Sequence, residues 1–285
     1  MDGVISEHLV QSKREMITQL EGKGIKTSTC IIRKSPTPSS YIIQSRTTGS
    51  RTIISNTSIK DISRDEFAKK IEVDKFTETP ISESKRKELF QWIHFEGRNV
   101  EQAVQQIDWI DDKARREGWR STLTISVELE KPDREHIDLL MNKGDVVFFS
   151  KLFAECRGYN HPVDFLRAMR SHCKSQAALY CTWGSDGAAC LQPSGEVIHA
   201  AAPRLSQVKD SVGAGDTFIG GVIATLLQGM LYSSSLEFAC KLATCKVAQQ
   251  GFDGLAEAMT IKNNNNLISC TNTTTSNNIN VSKAE

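Results

Sequence analysis

Lys209-Asp210-Ser211-Val212-Gly213-Ala214-Gly215-Asp216-Thr217-Phe218 reads as a glycine-rich turn feeding into an apolar helix, with a carboxylate at the point of entry. Gly213 and Gly215 open backbone conformations closed to other residues and let an anion approach the main chain. The helix expected from 217 to about 227 would offer that anion unpaired N–H groups and the positive end of its dipole. Asp216 then stands within reach of whatever group receives the anion. A fixed carboxylate beside an anion hole is what phosphoryl transfer to a hydroxyl requires. A bare Gly-x-Gly-Asp also has a plainer reading, in which the aspartate complements a helix dipole for about 0.3–1 kcal/mol. The dinucleotide fingerprint fails here, because the third glycine is displaced and Phe218 follows Thr217. No G-x-x-x-x-G-K-[ST] loop occurs in the chain.

The rest of the composition is ordinary. The 285 residues allow one large domain or two modest ones, and 39% hydrophobic with 24% charged residues is typical of a globular protein. A balance of 35 basic against 34 acidic residues gives no steering toward nucleic acid or a membrane. The amino end, Met1-Asp2-Gly3-Val4-Ile5-Ser6-Glu7-His8, lacks the basic and apolar regions of a signal peptide, so a cytoplasmic location is expected. The longest apolar run, around 218–227, is too short to span a bilayer. Eight cysteines without a Cys-x-x-Cys pair fit buried free thiols better than disulfides or zinc.

From residue 91 onward two periodicities alternate. Strands are expected at 92–96, 123–129, 146–149 and 177–182, and helices at 99–117, 134–141 and 163–172. A hairpin over 187–200 turns on Pro193-Ser194-Gly195. Asn99 with Gln102 three residues on forms a capping-box pattern. Such alternation predicts an α/β fold with a doubly wound, mostly parallel sheet. The front of the chain reads as a helix over 4–22, a strand over 25–32, and a hairpin from 41–44 and 51–55 through Thr47-Thr48-Gly49-Ser50. A two-stranded hairpin is marginal alone and must pack on something else; serving as a lid (about 39–56) over a substrate cleft would provide that. One domain is expected over 1–258, followed by an asparagine-, threonine- and serine-rich tail over 259–285 that lacks the apolar residues to fold.

Gly213-Ala214-Gly215-Asp216-Thr217-Phe218 after Asp210-Ser211-Val212 resembles the second signature of the ribokinase-like (PfkB) carbohydrate kinases. Further segments resemble the ketohexokinase (fructokinase) branch: Trp92-Ile93-His94-Phe95-Glu96-Gly97-Arg98-Asn99, Ser126-Val127-Glu128-Leu129-Glu130-Lys131-Pro132, Gly144-Asp145-Val146-Val147-Phe148-Phe149-Ser150-Lys151 and Gln250-Gly251-Phe252-Asp253-Gly254. The similarity runs from about Gly24 to Gly254.

The resemblance implies phosphorylation of a ketose such as fructose by ATP with Mg²⁺. It makes Asp216 the catalytic base and a sugar contact, with Gly213, Ala214 and Gly215 as the phosphate cradle. Gly184, Ser185, Asp186 and Gly187 would form a second ATP-binding turn, and Cys240 and Ala243 would line the adenine pocket. Arg51 matches a lid arginine that reaches the nucleotide phosphates. Mg²⁺ is expected to be held mostly through phosphates and water. Glu128 and Glu130 are candidates for ordering that water, without an assignment to either. A homodimer through the lid strands is expected if the lid is intact. The family's first strand with its sugar-binding aspartate, a lid strand, and its Gly-Gly-Asn-x-x-Asn loop have no counterpart here, so the resemblance implies an N-terminally truncated sugar site with part of the lid missing and impaired activity. A nucleotide-binding regulatory subunit is the alternative expectation.

Overall fold

The computed structural model describes residues 7–44, 51–56, 59–72, 82, 90–257 and 259. The chain forms two compact units: residues 1–90 with 98–123, and residues 91–97 with 124–285.

The first unit holds helices α1 (Glu7–Gly22), α2 (Arg64–Glu72) and α3 (Val100–Arg116), with a hairpin of β1 (Ser39–Gln44) and β2 (Arg51–Asn56). β1 and β2 are antiparallel, with Ser39 opposite Asn56 and Gln44 opposite Arg51. Tyr41, Ile42, Ile43, Ile53 and Ile54 of the hairpin are all exposed. Helix α2 is fixed by side chains far away in sequence. Arg33 pairs with Glu66, Gln106 Nε2 donates to Ile62 O at 2.7 Å, and Phe67 meets Trp109 edge-on at 6.0 Å.

The second unit is built on a six-stranded sheet: β3 (Trp92–Phe95), β4 (Thr124–Leu129), β5 (Val146–Phe149), β6 (Ala178–Thr182), β7 (Ala188–Leu191) and β8 (Val197–Ala200). The spatial order is the chain order, with β3 to β6 parallel and β7 and β8 antiparallel. All four residues of β5 are buried, the unbroken apolar pattern of a strand covered on both faces. Side chains alternate across a strand, so Val146 and Phe148 point one way and Val147 and Phe149 the other. On the first side Val146, Phe148, Tyr180 and Cys190 pack with Phe218, Val222, Leu236 and Cys240. On the second, Phe149 meets Phe153 and Phe165 at ring separations of 5.4 and 5.0 Å. Phe153 lies in α4 (Lys151–Glu155) and Phe165 in α5 (Pro162–Met169). The first-side helices, α6 (Ala214–Leu227) and α7 (Tyr232–Val247), approach closely because Gly221 is a glycine. A Cβ there would lie 3.1 Å from Ala239 Cα.

Several expectations are corrected. Residues 25–32 form no strand; Cys30 N instead closes a turn onto Thr27 O at 2.9 Å. The helix expected over 134–141 shrinks to a 3₁₀ turn, Ile137–Leu140, because His136 sits at φ 59° and breaks a right-handed start. Asn99 precedes α3 but lies at φ 35° and its side chain caps nothing. Gln102 Oε1 accepts instead from Arg64 N at 2.8 Å, at the start of α2. Helix α2 itself carries the signal that was overlooked: Ser63 Oγ accepts from Glu66 N, and Glu66 Oε2 accepts from Ser63 N at 3.0 Å. The hairpin turn 47–50 and the tail from 260 lie outside the described residues.

Candidate functional site

The sheet register brings the turn after β6 and the chain leaving β8 to one edge of the second unit, because Thr182, Ala188 and Ala200 stand side by side. The carboxyl ends of the parallel strands β3, β4 and β5 point the same way. That edge is where open α/β sheets bind ligands.

Helix α6 begins at Ala214, earlier than expected, with Gly213 as its N-cap at φ 74°, ψ 12°. Among the described residues the amides of Gly213, Gly215 and Asp216 have no hydrogen-bond partner, while Thr217 N closes the first helical bond onto Gly213 O at 2.9 Å. The two glycines serve different ends. Gly213 supplies a left-handed conformation, whereas Gly215 is helical, exposed, and has open space where a Cβ would stand. Unpaired amides at a helix N-terminus are groups that can receive an anion, and the open space at Gly215 leaves them accessible. Asp216, exposed in the first turn of α6, borders it.

The turn is held from below. Asp210 Oδ1 accepts from Val212 N at 2.9 Å, and Oδ2 accepts from Lys246 Nζ at 2.8 Å and Gly251 N at 3.2 Å. The Lys246 ammonium, with those amides, brings the Asp210 carboxyl down to about 2.

His94, at the end of β3, adds a polar cluster. Trp92 Nε1 donates to Ser126 Oγ at 2.8 Å, and His94 Nδ1 lies 2.8 Å from the same oxygen. Ser126 Oγ thus joins the two rings, accepting from Trp92 Nε1 and sharing a hydrogen bond with His94 Nδ1. Burial pushes His94 below its ordinary range, opposed by the charges of Glu96 and Asp216. His94 lies within the Trp92–Asn99 motif, and its pairing with Ser126 is tertiary.

Gly184, Ser185 and Asp186 form an exposed 3₁₀ turn directly after β6. Gly187 is buried, and its own packing explains it, since a Cβ would lie 1.9 Å from Ala200 O. Cys240 is 4% exposed within the core, its thiol donating to Ala200 O at 3.6 Å, and burial pushes it up to about 12. Ala243 is partly buried beside the same cluster. Of the cysteines, Cys30 and Cys156 are exposed, contrary to a uniformly buried set. Arg51 opens β2, in the first unit. The carbonyl of Glu130 accepts from Ser150 Oγ at 2.6 Å, and that hydroxyl caps α4 through Phe153 N. Among the described residues no three His, Cys, Asp or Glu side chains converge as metal ligands, and no helix is long and apolar enough to cross a membrane.

The mostly parallel sheet with helices on its faces is an α/β architecture. The chain matches the pfkB family carbohydrate kinases over residues 11–258 and belongs to that family. It is 36% identical to ketohexokinase of Mus musculus over 220 residues, covering 77% of this chain and 68% of the relative. Among solved structures, a "probable sugar kinase" of Rhizobium etli superposes with a TM-score of 0.67 at 20% identity, covering 87% of this chain and 72% of that one. An E. coli protein described as a ribokinase II, solved with ATP and Mg²⁺, superposes at 0.63 with 18% identity, covering 88% and 79%.

Proposed function

We propose that this carbohydrate kinase transfers the γ-phosphoryl group of ATP to the C1 hydroxyl of a ketose, fructose by preference. The observation that carries the reading is the set of unpartnered amides at Gly213, Gly215 and Asp216 beside an exposed carboxylate. Similarity to a ketohexokinase supports the ketose, and the neighbour bound to ATP and Mg²⁺ supports the nucleotide and metal.

In this reading the amides of the turn bind the transferring phosphoryl group and take up charge that develops on its oxygens. Asp216 orients the attacking hydroxyl and accepts its proton. A carboxylate is a weak base toward an alcohol, so the proton leaves late, once bond formation to phosphorus has made the hydroxyl acidic. ATP supplies the phosphoryl group, and Mg²⁺ would neutralise the phosphate charge. Positioning by the rigid turn contributes most of the acceleration. Gly184, Ser185 and Asp186 form the second nucleotide-facing turn, with Ala243 beside the base; Cys240 supports that wall from the core.

The test is ADP release by the purified chain with Mg-ATP, with and without fructose, beside Asp216→Asn. Fructose-dependent release is expected, falling by at least about 100-fold in the variant while ATP binding persists. Unchanged turnover in Asp216→Asn would remove the catalytic assignment.

A further inference from the structure

Lys246 is a lysine with no exposed side-chain surface, in the last turn of α7. A buried ammonium is costly unless it is fully paired, so its partners show what it is for. Its Nζ lies 2.8 Å from Asp210 Oδ2 and 3.2 Å from Asp210 O, gripping one residue by side chain and main chain together. It also stands 4.9 Å from the ring centroid of Phe252. Each partner leads to the anion turn by a separate route. Asp210 reaches it through Val212 N, and the amides of Lys209 and Asp210 are tied to Val247 O at 2.9 and 3.2 Å. Phe252 reaches it through Gly213, whose absent Cβ would lie 2.5 Å from Cζ of the ring.

We infer that Lys246 is a positioning residue, which holds the Gly213–Gly215 turn in its phosphate-binding shape through Asp210 on one side and Phe252 on the other. The inference rests on the reading of that turn as the phosphate cradle, and it deepens that reading. The pair also sets local charge. Removing the ammonium leaves the Asp210 carboxylate uncompensated beneath a site built for an anion, so phosphate binding suffers twice, from a looser turn and from repulsion. Removing both charges together ends the repulsion. An asparagine at 210 can still accept from Val212 N, so part of the turn's order returns.

The experiment compares Lys246→Met, Lys246→Met with Asp210→Asn, and Phe252→Ala against the native chain. Mg-ATP binding is measured by calorimetry, adenosine by competition, and folding by circular dichroism and thermal melting. Lys246→Met is expected to weaken ATP by about tenfold or more, as truncating one partner of a buried charged pair does. Adenosine, which lacks phosphates, should change by less than about twofold, and the double variant should recover much of the ATP affinity if the coupling is between these two groups. Phe252 is half exposed, so Phe252→Ala should fold and lose ATP affinity selectively even if Lys246→Met does not fold. Equal losses for ATP and adenosine, or native ATP affinity in folded variants, would show that the pair only stabilises the fold and would overturn the inference. A native chain that binds ATP but releases no fructose-dependent ADP defeats the proposed reaction and leaves this inference standing. A native chain that binds no ATP removes both.

Discussion

The ring of Phe252 occupies the space that a side chain on Gly213 would need, with Cζ 2.5 Å from the missing Cβ. Gly213 also lies at φ 74°, so this glycine is required twice, by conformation and by packing. Gly213→Ala must carry a left-handed residue at a cost of about 1–2 kcal/mol and displace the ring as well. Gly215→Ala meets no atom and sits in a helix, where alanine is favoured over glycine by about 1 kcal/mol. Thermal melting should fall for the first variant and hold or rise for the second. ATP affinity should fall for both, because the methyl at 215 stands where a phosphate would approach. Native affinity in Gly215→Ala would mean that the anion does not bind there.

Stability should depend on His94. Its folded value is lowered by burial, against Glu96 and Asp216, so in mildly acid solution the unfolded chain binds a proton that the folded chain refuses. The stability associated with neutral His94 is present above its ordinary value of about 6.5 and is lost as pH falls below it. Urea midpoints measured from pH 7.5 to pH 5 should drop more steeply for the native chain than for His94→Gln. Parallel curves would contradict a neutral buried imidazole.

Helices α6 and α7 depend on Gly221 for their separation. Gly221→Val forces atoms toward Ala239 Cα, already only 3.1 Å from an added Cβ, and overpacking of this kind costs about 1–3 kcal/mol. Urea unfolding should show that loss. An unaffected midpoint would mean that the helices can part freely.

Tyr180 is fully buried and stacked on Phe148 at 5.3 Å; Cys190 and Ser235 stand near its hydroxyl, but among the described residues none meets it with hydrogen-bonding geometry. An unpaired buried hydroxyl costs about 1–3 kcal/mol in desolvation, so Tyr180→Phe should be neutral or stabilising by about 1 kcal/mol. A clear loss of stability would show that the hydroxyl is engaged.

Local signals in the sequence were enough for the class of fold and for the glycine turn that opens α6. A short unbroken apolar run such as 146–149, rich in β-branched and aromatic residues, fits a strand buried on both faces, and Gly213-Ala214-Gly215-Asp216 has its glycines and carboxylate in adjacent residues. Ser63 and Glu66 were equally legible, because a capping box is local. Asn99 and Gln102 have the same spacing, yet the Gln102 carbonyl is taken by Arg64 N, which local pattern cannot foresee. Tertiary structure alone decided the support of the site. Lys246 meets Asp210 across 36 positions, and Trp92 and His94 converge on Ser126 across 34 and 32. Phe252 closes on Gly213 only because α7 returns the chain there. A buried ammonium, an imidazole kept neutral and a glycine pressed by a ring take their properties from desolvation and close contact. Those conditions arise only when distant segments pack together.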